Sequence, residues 1–191
     1  MANETLVGAP LSSTGGVLSA PAGTVLPTSA TAVTTGFTGR GLIGEDGLSE
    51  TTDRSTEKVR AWGGSLARVL QTEFGLTYTF QFISTTAAVL REVHGDENVT
   101  DVPAGTDPFA SLAIAVNSKR LPVKPWIFEV KDGDDRIRIV VPEGQITNVG
   151  DITYSHNDII RYEVTIDCYE DEAGNSAYKY ISGPSVAPAA A

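Results

Sequence analysis

Histidine, cysteine and clustered carboxylates are the side chains from which a catalytic or metal site is built, and this chain of 191 residues offers few in useful spacing. His94 and His156 could act as imidazole bases or ligands, but neither has a motif partner. His94 falls near the end of an expected helix, where a cation complements the helix dipole. His156 falls in a polar turn beside Asn157 and Asp158. Serines are plentiful, yet none sits in a nucleophile elbow. The one cysteine, Cys168, excludes an intrachain disulfide and a thiolate metal site. It is in phase with Ile160, Tyr162, Val164 and Ile166, and reads as a small buried hydrophobe rather than a redox thiol.

The acidic runs Asp132-Gly133-Asp134-Asp135 and Glu170-Asp171-Glu172 carry calcium-like donors, but neither completes a twelve-residue binding loop, so solvated turns are expected. Gly39, Gly41 and Gly44 match the dinucleotide-binding spacing letter for letter. That motif works by seating pyrophosphate on the N-terminus of a following helix, and here Glu45-Asp46-Gly47 and a β pattern follow. Asn98-Val99-Thr100 fits a glycosylation sequon without a secretion signal and is read as chance. The residues therefore yield no catalytic group, no cofactor site and no metal site, and a non-enzymatic protein is expected.

The informative pattern lies in the elements themselves. Residues 49–83 read as one long β-hairpin whose arms meet at Gly63-Gly64. On the returning arm Phe74, Leu76, Tyr78, Phe80 and Phe82 alternate with Glu73, Gly75, Thr77, Thr79 and Gln81, the period of two that a half-buried strand requires. At ~3.3 Å per residue an unbroken arm over residues 66–83 spans roughly 60 Å, about three times an ordinary strand. An unpaired edge of that length is an aggregation hazard, so neighbouring copies are expected to cover it.

Around the hairpin the chain divides into an extended N-terminal arm (1–30), a mainly β domain (31–183) and a flexible C-terminal tail (184–191). The arm is rich in Gly, Ala, Ser, Thr and Pro, yet Val17, Leu18, Val25 and Leu26 are too apolar for a free tail, so it should lie against its own domain or a neighbour's. A first short strand is expected over residues 33–37. One helix follows the hairpin: Ser84 or Thr85 caps it, Val89, Leu90 and Val93 share a side, and Gly95 ends it. A loop through Asp101, Pro103, Gly105 and Pro108 leads to strands at 112–116, 126–131 and 136–141, with Asp132-Gly133 turning the last two into a hairpin. Weaker patterning after Pro142 covers 145–153, and further strands are expected at 159–169 and 177–181. Many alternating strands and one helix argue a mainly β fold, a β-sandwich or partly closed barrel with one flanking α-helix and a long β-hairpin.

Charge narrows the partners. The formal net charge is −10 at pH 7 and no basic cluster is present, since Arg54, Lys58 and Arg60 alternate with Asp53 and Glu57. Tight binding to nucleic-acid phosphates depends on clustered cations and is not expected, whereas an acidic wall beside passing DNA would keep it from sticking. The first residues, MANET, lack a cationic stretch followed by an apolar run, and no segment approaches membrane-spanning length. Synthesis and assembly in a cytoplasm, with no membrane partner, are the expectation.

The order of parts resembles a phage tail tube protein, the major tail protein of long non-contractile tails, of the type found in phages of actinobacteria. The resemblance is carried by GGVLSAPAGTVLPTSATA, GFTGRGLIGEDGLSET, VRAWGG and TYTFQFISTTAAVLREVHG, nearly half of the chain. It implies hexameric rings whose sheets join into a β-barrel lumen, stacked around a tape-measure protein, bounded by tail-tip and terminator proteins, and later traversed by double-stranded DNA. It places the protein in the virion tail, assembled in a bacterial host. Residues 45–54 and 59–68 match the family's long hairpin, which contacts the adjacent ring. The contact candidates are Glu45, Asp46, Arg54, Arg60, Trp62, Gly63, Gly64 and Arg68; Trp62 either anchors that contact or covers its own core. Thr77, Thr79, Gln81, Glu163, Thr165 and Asp167 form a polar face suited to the lumen, while Arg136, Arg138 and Arg161 either pair across strands or lie on the outer sheet. Six copies would carry about −60, six times −10, so stacking contacts must be short-ranged and complementary and polymerisation should respond to salt. Other readings are a tail terminator, a capsid decoration protein, a carbohydrate-binding β-sandwich module, or an enzyme whose site lacks a known motif.

Overall fold

A computed structural model describes residues 5–12, 16–32, 34–102 and 111–186. Its strands are β1 (Ala9–Pro10), β2 (Val17–Ser19), β3 (Thr38–Gly39), β4 (Ile43–Arg60), β5 (Leu66–Phe82), β6 (Val99–Val102), β7 (Ser111–Ile114), β8 (Lys124–Asp132), β9 (Asp135–Val149), β10 (Tyr162–Tyr169) and β11 (Tyr178–Ser182). The helix α1 (Ala87–His94) follows the long hairpin. Nine strands form one antiparallel sheet in the order β3-β2-β8-β9-β10-β5-β4, with β1 added along β8 and β11 along β9; β6 and β7 pair separately. The fold is mainly β with one flanking helix, and the large sheet is not closed into a barrel.

Although β8 and β5 are separated in that order by β9 and β10, the Tyr78 ring lies 5.0 Å from Phe128, and Phe80 lies 5.7 Å from it. The sheet therefore curls over its own inner face and buries Trp126, Tyr78, Phe82, Phe128, Val164 and Ile166 completely. Burying each of the larger side chains is worth roughly 1.5–3 kcal/mol. Helix α1 closes the open side with Val89, Leu90 and Val93. Its N-cap is Thr86, not Ser84 or Thr85: Thr86 accepts from the Val89 N–H, Ser84 instead accepts from the Leu42 N–H at 2.9 Å, and the Thr85 hydroxyl meets the Tyr162 hydroxyl at 3.3 Å. Gly95 ends the helix, its N–H donating to the Arg91 carbonyl.

Strand β9 corrects the expected interruption at Pro142, for it is one continuous strand of 15 residues. Its first part pairs with β11 through Val140 and its later part with β10 from Glu143, so the proline's missing N–H falls where the neighbour changes. On its other side the register against β8 shifts between Lys124 and Trp126. There the Trp126 indole donates to the Gly144 carbonyl at 3.2 Å, and a β-carbon on Gly144 would come within 2.7 Å of that ring. Only glycine permits so close an approach.

The outer face of β8 and β9 carries a second, smaller core in which Ala20, Phe37, Leu18 and Leu26 cover Ile127 and Val140. Val33 lies outside the described residues, and 34–37 form a turn rather than the expected strand, the Phe37 N–H donating to the Thr34 carbonyl at 3.1 Å. Arg138 fastens this covering segment. It pairs with Glu129, its directly opposite residue on β8, and donates to the carbonyls of Ser29 and Ala32. Ser185 donates to Asp135 from the short turn Pro184–Val186; residues 187–191 and the expected loop through Pro103, Gly105 and Pro108 lie outside the described residues.

Candidate assembly surfaces

The β4–β5 hairpin has two unlike halves. Near the body, β5 is flanked by β10 on one side and β4 on the other, and Leu76, Tyr78, Phe80 and Phe82 are buried. Beyond Thr51 and Phe74 the two strands have only each other, and the ribbon is exposed on both faces. It nonetheless bears Val59, Trp62, Leu66, Val69, Leu70 and Phe74 in the open. Phe74 thus leaves the buried set to which its phase assigned it; its ring lies beneath the Arg54 guanidinium at 4.8 Å. Register shifts after Ser55 and after Val59 add twist to the ribbon. At the tip the Ala61 N–H donates to Ser65, the Gly64 N–H to Ala61, and Gly64 adopts φ +82°, a conformation that favours glycine. Trp62 is fully exposed there, so it does not cover its own core.

The tip is also unlike the rest in charge. Residues 58–72 hold Lys58, Arg60 and Arg68 and no carboxylate, in a chain of net charge −10. Arg60 donates to the Gly64 carbonyl at 2.9 Å and has no ion pair among the described residues.

The six polar candidates on the sheet come together as three directly opposed pairs: Glu163 with Gln81, Thr165 with Thr79, and Asp167 with Thr77. Gln81 donates to Glu163 at 3.0 Å, and the two threonine hydroxyls lie 3.4 Å apart. Ser49 and Thr51 extend this polar surface on β4, and Gln145 and Asn148 extend it on β9. The result is one hydrophilic face four strands wide, opposite the core. Arg161 bonds Asp158 three residues earlier and stays off this face's cross-strand pairs, while Arg136 is exposed on β9.

The contact candidates are split between two places. Arg54, Arg60, Trp62, Gly63, Gly64 and Arg68 lie on the ribbon, whereas Glu45 and Asp46 lie at the hairpin's root, both exposed. Beside Glu45 a cavity of about 270 Å³ opens between the root, β8 and the N-terminal segment, lined by Pro10, Val17, Leu42, Leu48, Phe128 and Val130.

A larger hollow of about 650 Å³ lies between the end of α1 and β9, where His94 shares the lining with Lys119, Arg120 and Tyr169. Burial pushes the His94 imidazole below its ordinary value. His156 is exposed on a separate loop. Cys168 is half-buried, its thiol pushed up to about 12 by burial and by neighbouring Asp167 and Glu50, which leaves it inert. One member of each acidic run is engaged within the fold: Asp171 accepts from the Ala173 and Asn175 N–H groups and from the Tyr178 hydroxyl, and Asp135 accepts from Ser185, 50 residues away in sequence. Among the described residues no three His, Cys, Asp or Glu side chains gather as a metal site. No helix among them is long and apolar enough to cross a membrane.

One charged cluster escaped the sequence reading. Glu92, on the buried side of α1, is 3% exposed and meets Arg40 at 2.8 Å, the Ser19 hydroxyl at 2.9 Å and the Lys124 ammonium. It ties the helix to β2, β8 and the segment before β4. Its signal was an acid placed three residues after Val89 and beside Val93, inside the apolar stripe.

Solved structures with a similar course include the tube terminating cap of an anti-feeding prophage (TM-score 0.45, 10% identity, 95% of this chain and 98% of that one). Others are the sheath–tube complex of an extracellular contractile injection system in its extended state (0.48, 8%, 91% and 93%) and the virion of a native gene transfer agent (0.40, 13%, 77% and 89%). No curated protein sequence gives a significant match. The family model described as "Phage tail tube protein" matches residues 2–191, so the chain belongs to the phage tail tube protein family and is a structural component of the virion.

Proposed function

We propose that the protein is the repeating subunit of a tail tube, acting by self-assembly into stacked hexameric rings, through which double-stranded DNA is delivered. The observation that carries this is the distal hairpin, a two-stranded ribbon with six large apolar side chains exposed. Such a ribbon is marginal in water by itself and gains stability when another surface covers it. Ring closure uses the free outer edge of β4 and the short edge strands at the other end of the sheet, and joining the two removes both edges. The face built on Thr77, Thr79, Gln81, Glu163, Thr165 and Asp167 lines the lumen, where hydroxyls and carboxylates give passing DNA nothing to grip. Glu45, Asp46, Arg54, Arg60, Trp62, Gly63, Gly64 and Arg68 join one ring to the next. The tape-measure protein occupies the lumen during assembly, and tail-tip and terminator proteins bound the stack.

Negative-stain electron microscopy with light scattering, at low and moderate salt, tests this reading. Hollow tubes of uniform diameter and regular axial repeat are expected. Discrete rings that never stack would move the protein to a terminator role, and monomers at every concentration, even with tail-initiation components present, would overturn self-assembly. Glycan binding by that monomer would favour a carbohydrate-binding module, although the exposed aromatics Trp62, Phe74, Tyr154 and Tyr169 are scattered over different elements.

A further inference from the structure

We propose that the hairpin tip of one copy seats Trp62 in the cavity at the root of the same hairpin in the next copy. This rests on the tube-subunit reading and specifies its ring-to-ring contact. The cavity's apolar wall is formed by Pro10, Val17, Leu42, Leu48, Phe128 and Val130. Its volume of about 270 Å³ lies below the ~300–1,000 Å³ of small-molecule pockets, and suits a single large side chain. Among the described residues Trp62 is such a side chain, held wholly in solvent on a hydrogen-bonded turn. Tryptophan is enriched among the residues that dominate interface energies, where it fills well-packed, desolvated pockets.

Charge fixes the occupant as a second copy. Lys58, Arg60 and Arg68 surround the tip without a carboxylate between them, and none has an ion pair among the described residues. Exposed Glu45 lines the cavity and Asp46 follows it; neither has an ion pair among the described residues. A cationic knob meets an acidic rim. Complementary pairs at the edge of an apolar contact set orientation and encounter rate, and they reconcile stacking with the chain's net negative charge.

Geometry makes the contact polymeric. Knob and socket sit at opposite ends of β4 and β5, separated by roughly 50 Å at ~3.3 Å per residue, so one chain cannot fill its own socket. Two different surfaces joined head to tail make a ring where the rotation between copies closes and an open filament where it does not; a contact directed along the hairpin, from one ring to the next, is of the second kind. The axial repeat should accordingly be no longer than the hairpin.

The test is oxidative cross-linking in a Cys168→Ala background. Trp62→Cys combined with Leu42→Cys should yield a ladder of covalent multimers from assembled tubes, whereas either cysteine alone should stop at dimers or monomers. Tubes that form normally but give no ladder would overturn the docking while leaving the tube reading intact. Absence of tubes from the unmodified protein would overturn both. In parallel, Trp62→Ala should raise the concentration needed for tube formation by at least about tenfold, with the subunit's own unfolding unchanged. Arg60→Glu with Arg68→Glu should block stacking, and Glu45→Lys with Asp46→Lys in the same chain should restore it. Tubes indifferent to all of these changes would refute the contact.

Discussion

The two halves of one hairpin differ in what covers them rather than in how they pair. Both are antiparallel ladders interrupted by register shifts, but the half at the root is pressed onto β10 and the aromatic core, and the distal half stands clear of the body. Each backbone hydrogen bond contributes only about 0.5–1.5 kcal/mol net, and burial adds what keeps a strand formed. The root is held in place by the subunit's own core, whereas the ribbon is left exposed by it.

Amide exchange gives the sharpest contrast. In the free subunit, backbone amides of residues 76–82 should exchange near the limit of global unfolding, while those of residues 66–72 should exchange faster by about a thousandfold or more. In tubes the difference should vanish; ribbon amides equally protected in the monomer would break the comparison. Substitution probes the same divide: Phe82→Ala should destabilise the subunit by about 3–5 kcal/mol in chemical denaturation, and Phe74→Ala by under about 1 kcal/mol, although the two belong to one alternating series.

Glu92→Ala should cost about 3 kcal/mol, because it strands Lys124 in a nearly buried site and leaves Arg40 without its carboxylate. A loss below about 1 kcal/mol would show that the cluster is solvated. A smaller effect follows from pH. The folded state holds the His94 pKa below its usual value, so between that lowered value and about 6.5 the unfolded chain binds more protons and stability rises with pH. Denaturation midpoints should fall as the solution is acidified through this window, and His94→Gln should flatten the slope. Least of all, Gln81→Glu replaces the hydrogen bond to Glu163 with like charges directly opposite and should cost roughly 0.2–1 kcal/mol at low salt, recovering as salt is added.

The hairpin, the helix and the alternating strands were legible because each has a period that survives without tertiary context. Phe74 shows where that legibility stops. Its phase is identical to that of Tyr78 and Phe82, and nothing local states that the body of the protein has ended before it. The helix cap was ambiguous for a related reason: Ser84, Thr85 and Thr86 are chemically interchangeable, and only the positions of Leu42 and Tyr162 distribute their roles. Pro142 looked like a break because a proline inside a strand normally is one; a change of neighbour at that residue is a property of topology. The polar face was readable as alternation on β5 and β10, and their register then matched its members pair by pair. The cavity at the hairpin root was beyond reach, since it is assembled from three stretches distant in sequence.

That assembly from distant stretches governs timing. The tip is complete once Ser65 has been synthesised, whereas the cavity also requires Phe128 to Val130, and the Arg138 clasp on Ser29 and Ala32 closes later still. Synthesis proceeds from the N-terminus at about 5–20 residues per second, so for several seconds each nascent chain presents its knob without a socket. A nascent chain between these two points can therefore offer its knob but cannot receive one.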